Sequence, residues 1–391
     1  FGFIFTFFSS FGQSFFLGLF NTSLRETLSI SHGQFGSIYA SATLLSSLVL
    51  VWIGKKIDDL NILRFASYVV VLFAISCFLF SKISSIIFLF FSIFLMRLSG
   101  QGLMSHTATT TVSRFFERSR GRALSTAWLG LSSAEFILPL LIVFLLTIIE
   151  WRSIWLLISI IIILVLPLIS YFLVKDVNLD SREKSNDEEK KIKKIKQWKR
   201  IEVLKDYRFY IICLNMLAMP WIATGTFVYQ SFISSSKDWG PYVIAQSFMS
   251  YSVLSVLTLF LSGFLIDKFT SRKLLIYMNI PLLLSVIVLF CFDTPITAFV
   301  FLGLVGISNG FANILGSSTW AELYGVKYLG SIKALTTALM VFATAFGTAL
   351  FGFLIDIGFT VNDIAMVSGT YIFISLILLF LVRKKLNPLI I

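Results

Sequence analysis

Two charged residues, Arg97 and Glu135, lie inside long apolar runs and are the clearest candidates for chemistry. Arg97 belongs to a predicted helix over residues 84–112, and Glu135 to a predicted helix over residues 121–148. A guanidinium attracts anions, whereas a carboxyl group balances a cation or carries a proton. Because an unpaired charge is costly in an apolar environment, we expect both side chains to face a polar interior.

Arg97 and Glu135 are also expected to lie at matching depth. Each is ~13 residues, or roughly 20 Å at 1.5 Å per residue, from the outer end of its helix. A structural interpretation is a buried ion pair that fixes the packing of the two helices. The functional interpretation is that Arg97 attracts an anionic ligand while Glu135 balances it or carries a proton. Both interpretations predict that the two side chains are close enough to pair.

Several polar residues in other apolar runs are candidates for lining the same pocket. An amide in such a helix more often bonds to a neighbouring helix than to a ligand, so these are weaker candidates. Gln101 lies one turn from Arg97 on the same helix face, and Asn309 and Asn313 share a face in the same way. The full set of pocket-lining candidates is Gln13, Gln101, Tyr229, Gln230, Asn309 and Asn313.

The elements that carry these residues are predicted to cross a membrane. Of the 391 residues, 57% are hydrophobic and 13% are charged, against about 25% charged in a soluble protein. Apolar runs near the ~20 residues that span a bilayer recur along the chain, and only helices satisfy such backbones in lipid. We therefore predict an all-α integral membrane protein with twelve transmembrane helices. The predicted spans are residues 1–21, 35–54, 64–81, 84–112, 121–148, 153–174, 209–234, 241–266, 273–292, 296–319, 332–356 and 362–382.

The distribution of basic residues predicts the orientation. Cations cluster after spans 2, 4, 8 and 12, while the opposite side carries single cations only. This positive-inside pattern places both termini in the cytoplasm, and it accounts for the net charge of +12 without a nucleic-acid partner. The polar region 175–208 is interpreted as a cytoplasmic linker between an N-terminal six-helix bundle, 1–174, and a C-terminal one, 209–391.

A short motif occurs at matching places in the two halves. A glycine stands four residues before an aspartate in Gly54–Asp58 and again in Gly263–Asp267, each time where an apolar run ends. The second copy continues with Lys268, Arg272 and Lys273, and it resembles the G-x-x-x-D-R/K-x-G-R-R/K signature of the Major Facilitator Superfamily. The first copy matches less well, since Asp59 stands where a cation is usual.

The resemblance implies two pseudo-symmetric six-helix bundles that rock about a substrate site near the membrane midplane. It assigns gating to Asp58, Gly263, Asp267, Lys268 and Arg272. Two further stretches resemble bacterial monocarboxylate porters and oxalate/formate-type antiporters. The first, residues 114–125, implies a basic cytoplasmic clamp that includes Arg118 and is available to Asp58 or to anionic lipid. The second is Trp320–Gly325.

The subfamily resemblance is partial. Eukaryotic monocarboxylate porters carry an Asp/Arg pair in the eighth helix, whereas residues 241–266 have no charge here. Our preferred hypothesis is a secondary active transporter of a small organic anion in the plasma (bacterial inner) membrane, coupled to protons through Glu135. Sodium is the alternative coupling ion. Alternative functions are a drug or metabolite exporter of the same fold and a non-transporting membrane sensor or scaffold.

No sequence feature indicates an enzyme, because there is no nucleotide loop, metal-ligand cluster or nucleophile–base arrangement. The cysteines at 77, 213 and 291 are too far apart to suggest a disulfide or ligand set. His32 and His106 have no carboxylates placed near them. We therefore expect no catalytic residue, metal or cofactor, and as partners a small molecule, a coupling ion and membrane lipid.

Overall fold

The computed structural model describes residues 1–54, 56–59, 61–116, 120–174, 196–325 and 327–387. Every regular element within these ranges is helical, which confirms the predicted all-α fold. Some residues inside the helices are described by their backbone alone. These are Asp58, Asp59, Arg114, Arg120, Gly121, Arg122, Val174, Pro241, Asp267, Ser317 and Gly330.

The described helices account for the predicted spans. Eleven are long and apolar enough to cross a membrane, and the bent pair Gly2–Gly18 and Asn21–Leu28 raises the number to as many as twelve. The chain is thus a multi-pass membrane protein. Spans 2 to 6 are His32–Gly54, Ile62–Ser81, Ile86–Met96 continued to Phe115, Arg120–Leu146 and Trp151–Val174. Spans 7 to 12 are Tyr207–Val228, Pro241–Phe269, Ser271–Met278 with Ile280–Cys291, Pro295–Tyr324, Leu329–Asp356 and Val361–Val382.

Span 1 differs from the single helix that we predicted over residues 1–21. An α-helix over Gly2–Ser9 tightens to a 3₁₀ turn over Ser10–Gly12 and stops at Gln13. Gln13 is extended, with φ −84° and ψ 156°, so it cannot continue the helical hydrogen bonds. Helical structure resumes over Ser14–Gly18, and the chain then bends by 65° into Asn21–Leu28.

Span 4 is also irregular. Between the α-helices Ile86–Met96 and Ser105–Phe115, residues Arg97–Met104 form a π-helix. A π segment widens the helix, is rare, and occurs often at functional sites. Arg97 begins this segment, so the candidate residue of span 4 lies at the change from one helix type to the other.

The described chain forms two compact units. The first consists of spans 1 to 6 together with two short segments, Phe227–Ser231 and Thr348–Asp356. The second consists of the rest of spans 7 to 12 and the described end of the predicted linker. Residues 175–195 of that linker lie outside the described residues, and the domain boundaries at 174 and 208 stay predictions.

One end of the second unit brings the repeated motif together with the Trp320–Gly325 stretch. The Glu322 carboxylate accepts hydrogen bonds from the N–H groups of Ser271, at 2.8 Å, and Arg272, at 3.3 Å. These groups begin span 9 and have no partner inside the helix, and a negative charge is favourable at a helix N-terminus. Glu322 therefore caps the helix that carries Arg272.

Replacing Glu322 by Ala is expected to lower the free energy of unfolding by about 1 kcal/mol, the usual effect of losing a helix cap. The measurement is the apparent melting temperature of the purified protein in detergent. Glu150→Ala is the control, because Glu150 makes an exposed ion pair with Arg152 at 3.1 Å, and such pairs contribute little. Equal melting temperatures for the two variants would contradict the capping role.

Candidate functional site

The Arg97 side chain is buried in the first unit, where it is 3% exposed. Its Nη1 donates hydrogen bonds to the carbonyl of Gly12 and to Ser14 Oγ, both at 3.2 Å. The Tyr39 hydroxyl donates to the same Ser14 Oγ at 3.1 Å, and the guanidinium carbon lies 5.4 Å from the centre of the Tyr39 ring. Three spans, 1, 2 and 4, thus hold one guanidinium.

The break in span 1 is what brings the Gly12 carbonyl to Arg97. Gly12 and Gly100 pack directly against each other, because a Cβ atom on Gly12 would lie 2.9 Å from the Gly100 Cα and 2.5 Å from the Met96 carbonyl oxygen. A Cβ on Gly100 would similarly meet the Gly12 Cα at 2.9 Å. Only residues without a side chain permit this contact between an interrupted helix and a π segment.

One donor of Arg97 has no partner. The Nε atom is buried and makes no hydrogen bond within the described part of the chain. Leaving a buried donor unpaired is costly, and more so on a charged group. Both hydrogen bonds of the guanidinium use Nη1, so no described acceptor bonds the edge that contains Nε.

The expected ion pair between Arg97 and Glu135 does not form among the described residues. Span 1 explains this, because it packs against both spans that carry these charges. It meets span 4 at Gly12, and it meets span 5 where the Thr6 hydroxyl donates to the carbonyl of Ala127.

Glu135 is buried as well, at 7% exposed, and has no hydrogen bond or ion pair with any described residue. It occupies the middle of span 5, four residues before Pro139, which lies inside the same helix. An ionised carboxylate without a partner is costly at such a position, and protonation removes that cost. The first unit therefore holds a cation and a carboxyl group that do not neutralise each other directly.

Two pocket-lining candidates, Tyr229 and Gln230, are engaged with backbone atoms of the first unit. The Tyr229 hydroxyl lies 2.9 Å from the carbonyl of His32 and 3.1 Å from that of Thr348. Gln230 Nε2 donates to the carbonyl of Phe15 at 2.8 Å. Both side chains are buried, so in this structure they connect helices. Their assignment to a substrate pocket stays a prediction.

The other pocket-lining candidates are less constrained. Gln13 and Gln101 are half-buried in the first unit, at the break of span 1 and within the π segment. In the second unit, Asn309 donates to Ser255 Oγ at 2.9 Å, while Asn313 on the same helix is exposed. These positions stay predictions as well.

The gating residues are only partly described. The side chains of Asp58 and Asp267 and the whole of Arg118 lie outside the described residues. Lys268 is exposed, with its ammonium 5.3 Å from the centre of the Phe269 ring. Arg272 donates to the carbonyl of Leu386 at 3.3 Å and to Asn387 Oδ1 at 2.8 Å, so its guanidinium contacts the chain that follows span 12. A Cβ on Gly263 would meet no atom within 4 Å.

The sequence does not single out three residues near these sites. Ser14 and Tyr39 hold Arg97 but look like ordinary residues of apolar helices, and the one sign available for Ser14 is its position two residues after Gly12. The Nε2 atom of His106 lies 3.2 Å from the carbonyl of Gly54, the first residue of the first motif copy. Among the described residues, no group of three or more His, Cys, Asp or Glu side chains could hold a metal ion.

Comparison with known proteins places this geometry in a family. No curated protein matches the sequence. The structure is similar to a bacterial homolog of the human lysosomal transporter Spinster in an inward-facing, occupied conformation, with a TM-score of 0.75, 14% identity, and coverage of 98% of this chain and 96% of that chain. It is also similar to the nucleoside transporter NupG, with a TM-score of 0.71, 13% identity and coverage of 98% of both chains.

A third similar structure is a POT family transporter in complex with 5-aminolevulinic acid, with a TM-score of 0.70, 15% identity, and coverage of 98% of this chain and 96% of that chain. At these identities the three structures support the fold and not the substrate. The sequence model of the Major Facilitator Superfamily matches residues 2–245, more than half of the chain. Both comparisons point to a transporter rather than an enzyme, and the chain belongs to the Major Facilitator Superfamily.

Proposed function

We propose that this protein is a secondary active transporter that moves a small organic anion, such as a monocarboxylate, by alternating access and in symport with protons. The observation that carries the proposal is the buried guanidinium of Arg97, which has an unpartnered Nε and no carboxylate partner among the described residues. A buried cation without a counter-ion is unfavourable, and a bound anion would supply the missing charge.

The geometry of the guanidinium favours a carboxylate as the anion. Arginine binds carboxylates through two parallel N–H···O bonds along one edge. Nη1 already donates to the broken segment of span 1, so the edge that contains Nε is the one left for a substrate. The aromatic rings of Tyr39 and of Phe73, which packs at Gly100, provide apolar surroundings that suit a small organic acid.

Subfamily resemblance to monocarboxylate porters supports the same class of substrate. The POT family structure that holds 5-aminolevulinic acid, a small molecule with a carboxyl group, shares the fold, and at 15% identity it does not bear on the substrate.

The proposed orientation follows from the basic loops. Both termini, the linker and the two motif copies lie on the cytoplasmic side of the plasma membrane, and spans 2 and 8 end there. Asp58 and Asp267 then hold the cytoplasmic gate against basic groups such as Arg118 and Lys268. Anionic lipid is available to the same basic groups.

The experiment that tests the proposal is uptake by purified protein in proteoliposomes. A panel of radiolabelled small carboxylates is offered with and without an inward proton gradient, and with a sodium gradient as the alternative. Accumulation of a carboxylate that requires the proton gradient is the expected result. Uptake that requires only the sodium gradient would support an organic anion as the substrate but would make sodium the coupling ion.

Export of hydrophobic cations is the second candidate function, and Glu135 favours it. This buried carboxyl group has no cationic partner among the described residues, so a cationic substrate would also complete the site. A panel of lipophilic cations in the same proteoliposomes separates the candidates. Transport of cations with no transport of any carboxylate would replace the anion proposal with the exporter.

Glu135→Gln is expected to abolish proton-driven accumulation while leaving exchange of substrate across the membrane intact. Glutamine is close to isosteric with the protonated carboxyl group but cannot release a proton. The measurement compares gradient-driven uptake with counterflow at equal pH on both sides. Full proton-coupled uptake by the variant would remove Glu135 from the coupling mechanism.

A further inference from the structure

The end of the first unit at which span 2 begins is held by an ionisable side chain from another span. Asp356, the last residue of span 11, accepts two hydrogen bonds through Oδ2. One comes from Ser31 Oγ at 2.6 Å and the other from the backbone N–H of Gly33 at 2.8 Å. We call this arrangement the Asp356 cap.

The Asp356 cap exploits the N-terminus of a long helix. Span 2 runs for 23 residues from His32, and its first N–H groups have no partner within the helix. A carboxylate there is stabilised both by the hydrogen bonds and by the helix dipole. Ser31 is itself tied to this turn, because its N–H donates to Gln34 Oε1 at 2.9 Å and its Oγ accepts from the Gln34 N–H at 3.1 Å.

The packing behind the Asp356 cap is tight. A Cβ on Gly352 would collide with the carbonyl of His32, and a Cβ on Gly36 would collide with the carbonyl of Thr348. Spans 2 and 11 therefore approach each other through glycines, and a small displacement of either separates the Asp356 cap from its donors. Small residues permit such close helix contacts in membranes.

Neutral hydrogen bonds hold the neighbouring segments at the same end. Asn21 Nδ2 donates to the carbonyl of Val228 at 2.9 Å, and the Tyr229 hydroxyl lies 2.9 Å from the carbonyl of His32. The Asp356 cap adds a charged acceptor to these neutral contacts.

The charged and titratable groups that face Asp356 come from three segments. Span 1 contributes Arg25, which also interacts with Glu26, and span 2 contributes His32. The end of span 7 contributes Tyr229, which interacts with both Arg25 and Asp356. Arg25 Nε donates to Asn21 Oδ1 at 2.9 Å, so this cation is hydrogen-bonded to a neutral amide. Asp356 instead accepts its hydrogen bonds from the start of span 2.

We infer that Asp356 is a positioning residue of the transport cycle, whose carboxylate keeps this end of the first unit closed. The charged acceptor holds the hydroxyl of Ser31 and the N–H of Gly33 against the end of span 11. On the proposed orientation this end faces outward, and its opening belongs to the outward-open state. The inference uses alternating access but not the identity of the substrate.

The test measures the opening of this end directly. In a variant with Cys77, Cys213 and Cys291 replaced by Ser, Val228→Cys places a thiol at a fully buried position at the same end, where the carbonyl of residue 228 accepts from Asn21. The rate of maleimide labelling in detergent, without substrate, reports the open fraction. We expect Asp356→Asn, which keeps an acceptor oxygen but loses the negative charge, to raise that rate roughly 10-fold, and Asp356→Glu, which keeps the charge, to label closer to the parent rate.

Asp363→Asn is the matched control. Asp363 accepts from the Thr360 N–H at 2.8 Å and from the Thr360 hydroxyl at 2.6 Å, so it also caps a helix, but the helix is its own. Its variant is expected to label at the parent rate.

Ser31→Ala keeps the inference testable if Asp356→Asn does not fold. It removes one of the two donors and is expected to give an intermediate labelling rate. A labelling rate unchanged in both Asp356→Asn and Ser31→Ala would overturn the inference. Failure of carboxylate uptake leaves this result unaffected, because labelling needs no substrate.

Discussion

Arg97→Gln is expected to reduce carboxylate transport roughly 30- to 700-fold, which corresponds to about 2–4 kcal/mol for a buried charged partner. Glutamine retains a donor for the Gly12 carbonyl but supplies neither the positive charge nor the two-donor edge. The measurement is the initial rate of proton-driven uptake in proteoliposomes at subsaturating substrate. Loss of rate should come mainly from weaker binding, so the apparent KM rises.

Arg97→Lys separates the effect of the positive charge from the effect of the two-donor geometry. Lysine keeps the charge but presents a compact ammonium without the planar fork, so it cannot bind one carboxylate edge-on and the Gly12 carbonyl at once. We expect partial recovery of transport at best. If only charge mattered, the lysine variant would transport at the wild-type rate, and the bidentate geometry would be wrong.

Arg152→Gln is the matched control for the loss of an arginine. Arg152 donates to the carbonyl of Ile83 at 3.0 Å and pairs with Glu150 at the surface. It lies outside the proposed site, so transport should stay within about twofold, since exposed pairs contribute little. A folded Arg97→Gln protein with transport equal to this control would leave Arg97 with a packing role only.

Gly12→Ala is expected to lower the free energy of unfolding by about 1–3 kcal/mol, the usual cost of overpacking, and to reduce transport in parallel. The added methyl would lie 2.5 Å from the Met96 carbonyl and 2.6 Å from the Gln101 N–H, and backbone atoms cannot rotate away. Span 1 must therefore move off span 4, which carries the Gly12 carbonyl away from Arg97. Thermal melting in detergent and uptake in proteoliposomes measure the two effects.

Gly316→Ala is the control for this substitution. Gly316 also lies within a span, but a Cβ there would meet no atom within 4 Å. Its replacement should leave melting and transport unchanged or raise the melting temperature slightly, because alanine favours a helix more than glycine does. Similar losses in Gly12→Ala and Gly316→Ala would show that the Gly12–Gly100 contact has no special importance.

Composition and apolar runs were sufficient to predict the all-α membrane fold and most span boundaries. The burial of Arg97 and Glu135 also followed from their positions within apolar runs. Both results rest on the bilayer, which penalises exposed backbone and charge wherever they occur. The local sequence is therefore sufficient to predict the spans and the burial of charged residues inside them.

The break at Gln13 and the π segment from Arg97 were not predictable in the same way. The two irregular segments meet where Gly12 and Gly100 pack against each other, and this contact joins residues far apart in sequence. The expected pairing of Arg97 with Glu135 failed for a related reason. Spans 4 and 5 meet through Ser105–Phe115, whereas Arg97 lies in the π segment, which packs against span 1. Depth along a helix is a local property, but partners across the bundle are not.

The π segment of span 4 has a further consequence for the direction in which side chains point. A wide turn holds more residues than an α turn, so the residues on its two sides differ in helical phase from those of a continuous α-helix. Each residue of difference amounts to roughly 100° of rotation. A return of Arg97–Met104 to α geometry would thus turn Arg97 about the helix axis relative to Ser105 without bending the span. A change of helix type within span 4 is therefore sufficient to rotate the Arg97 side chain about the helix axis.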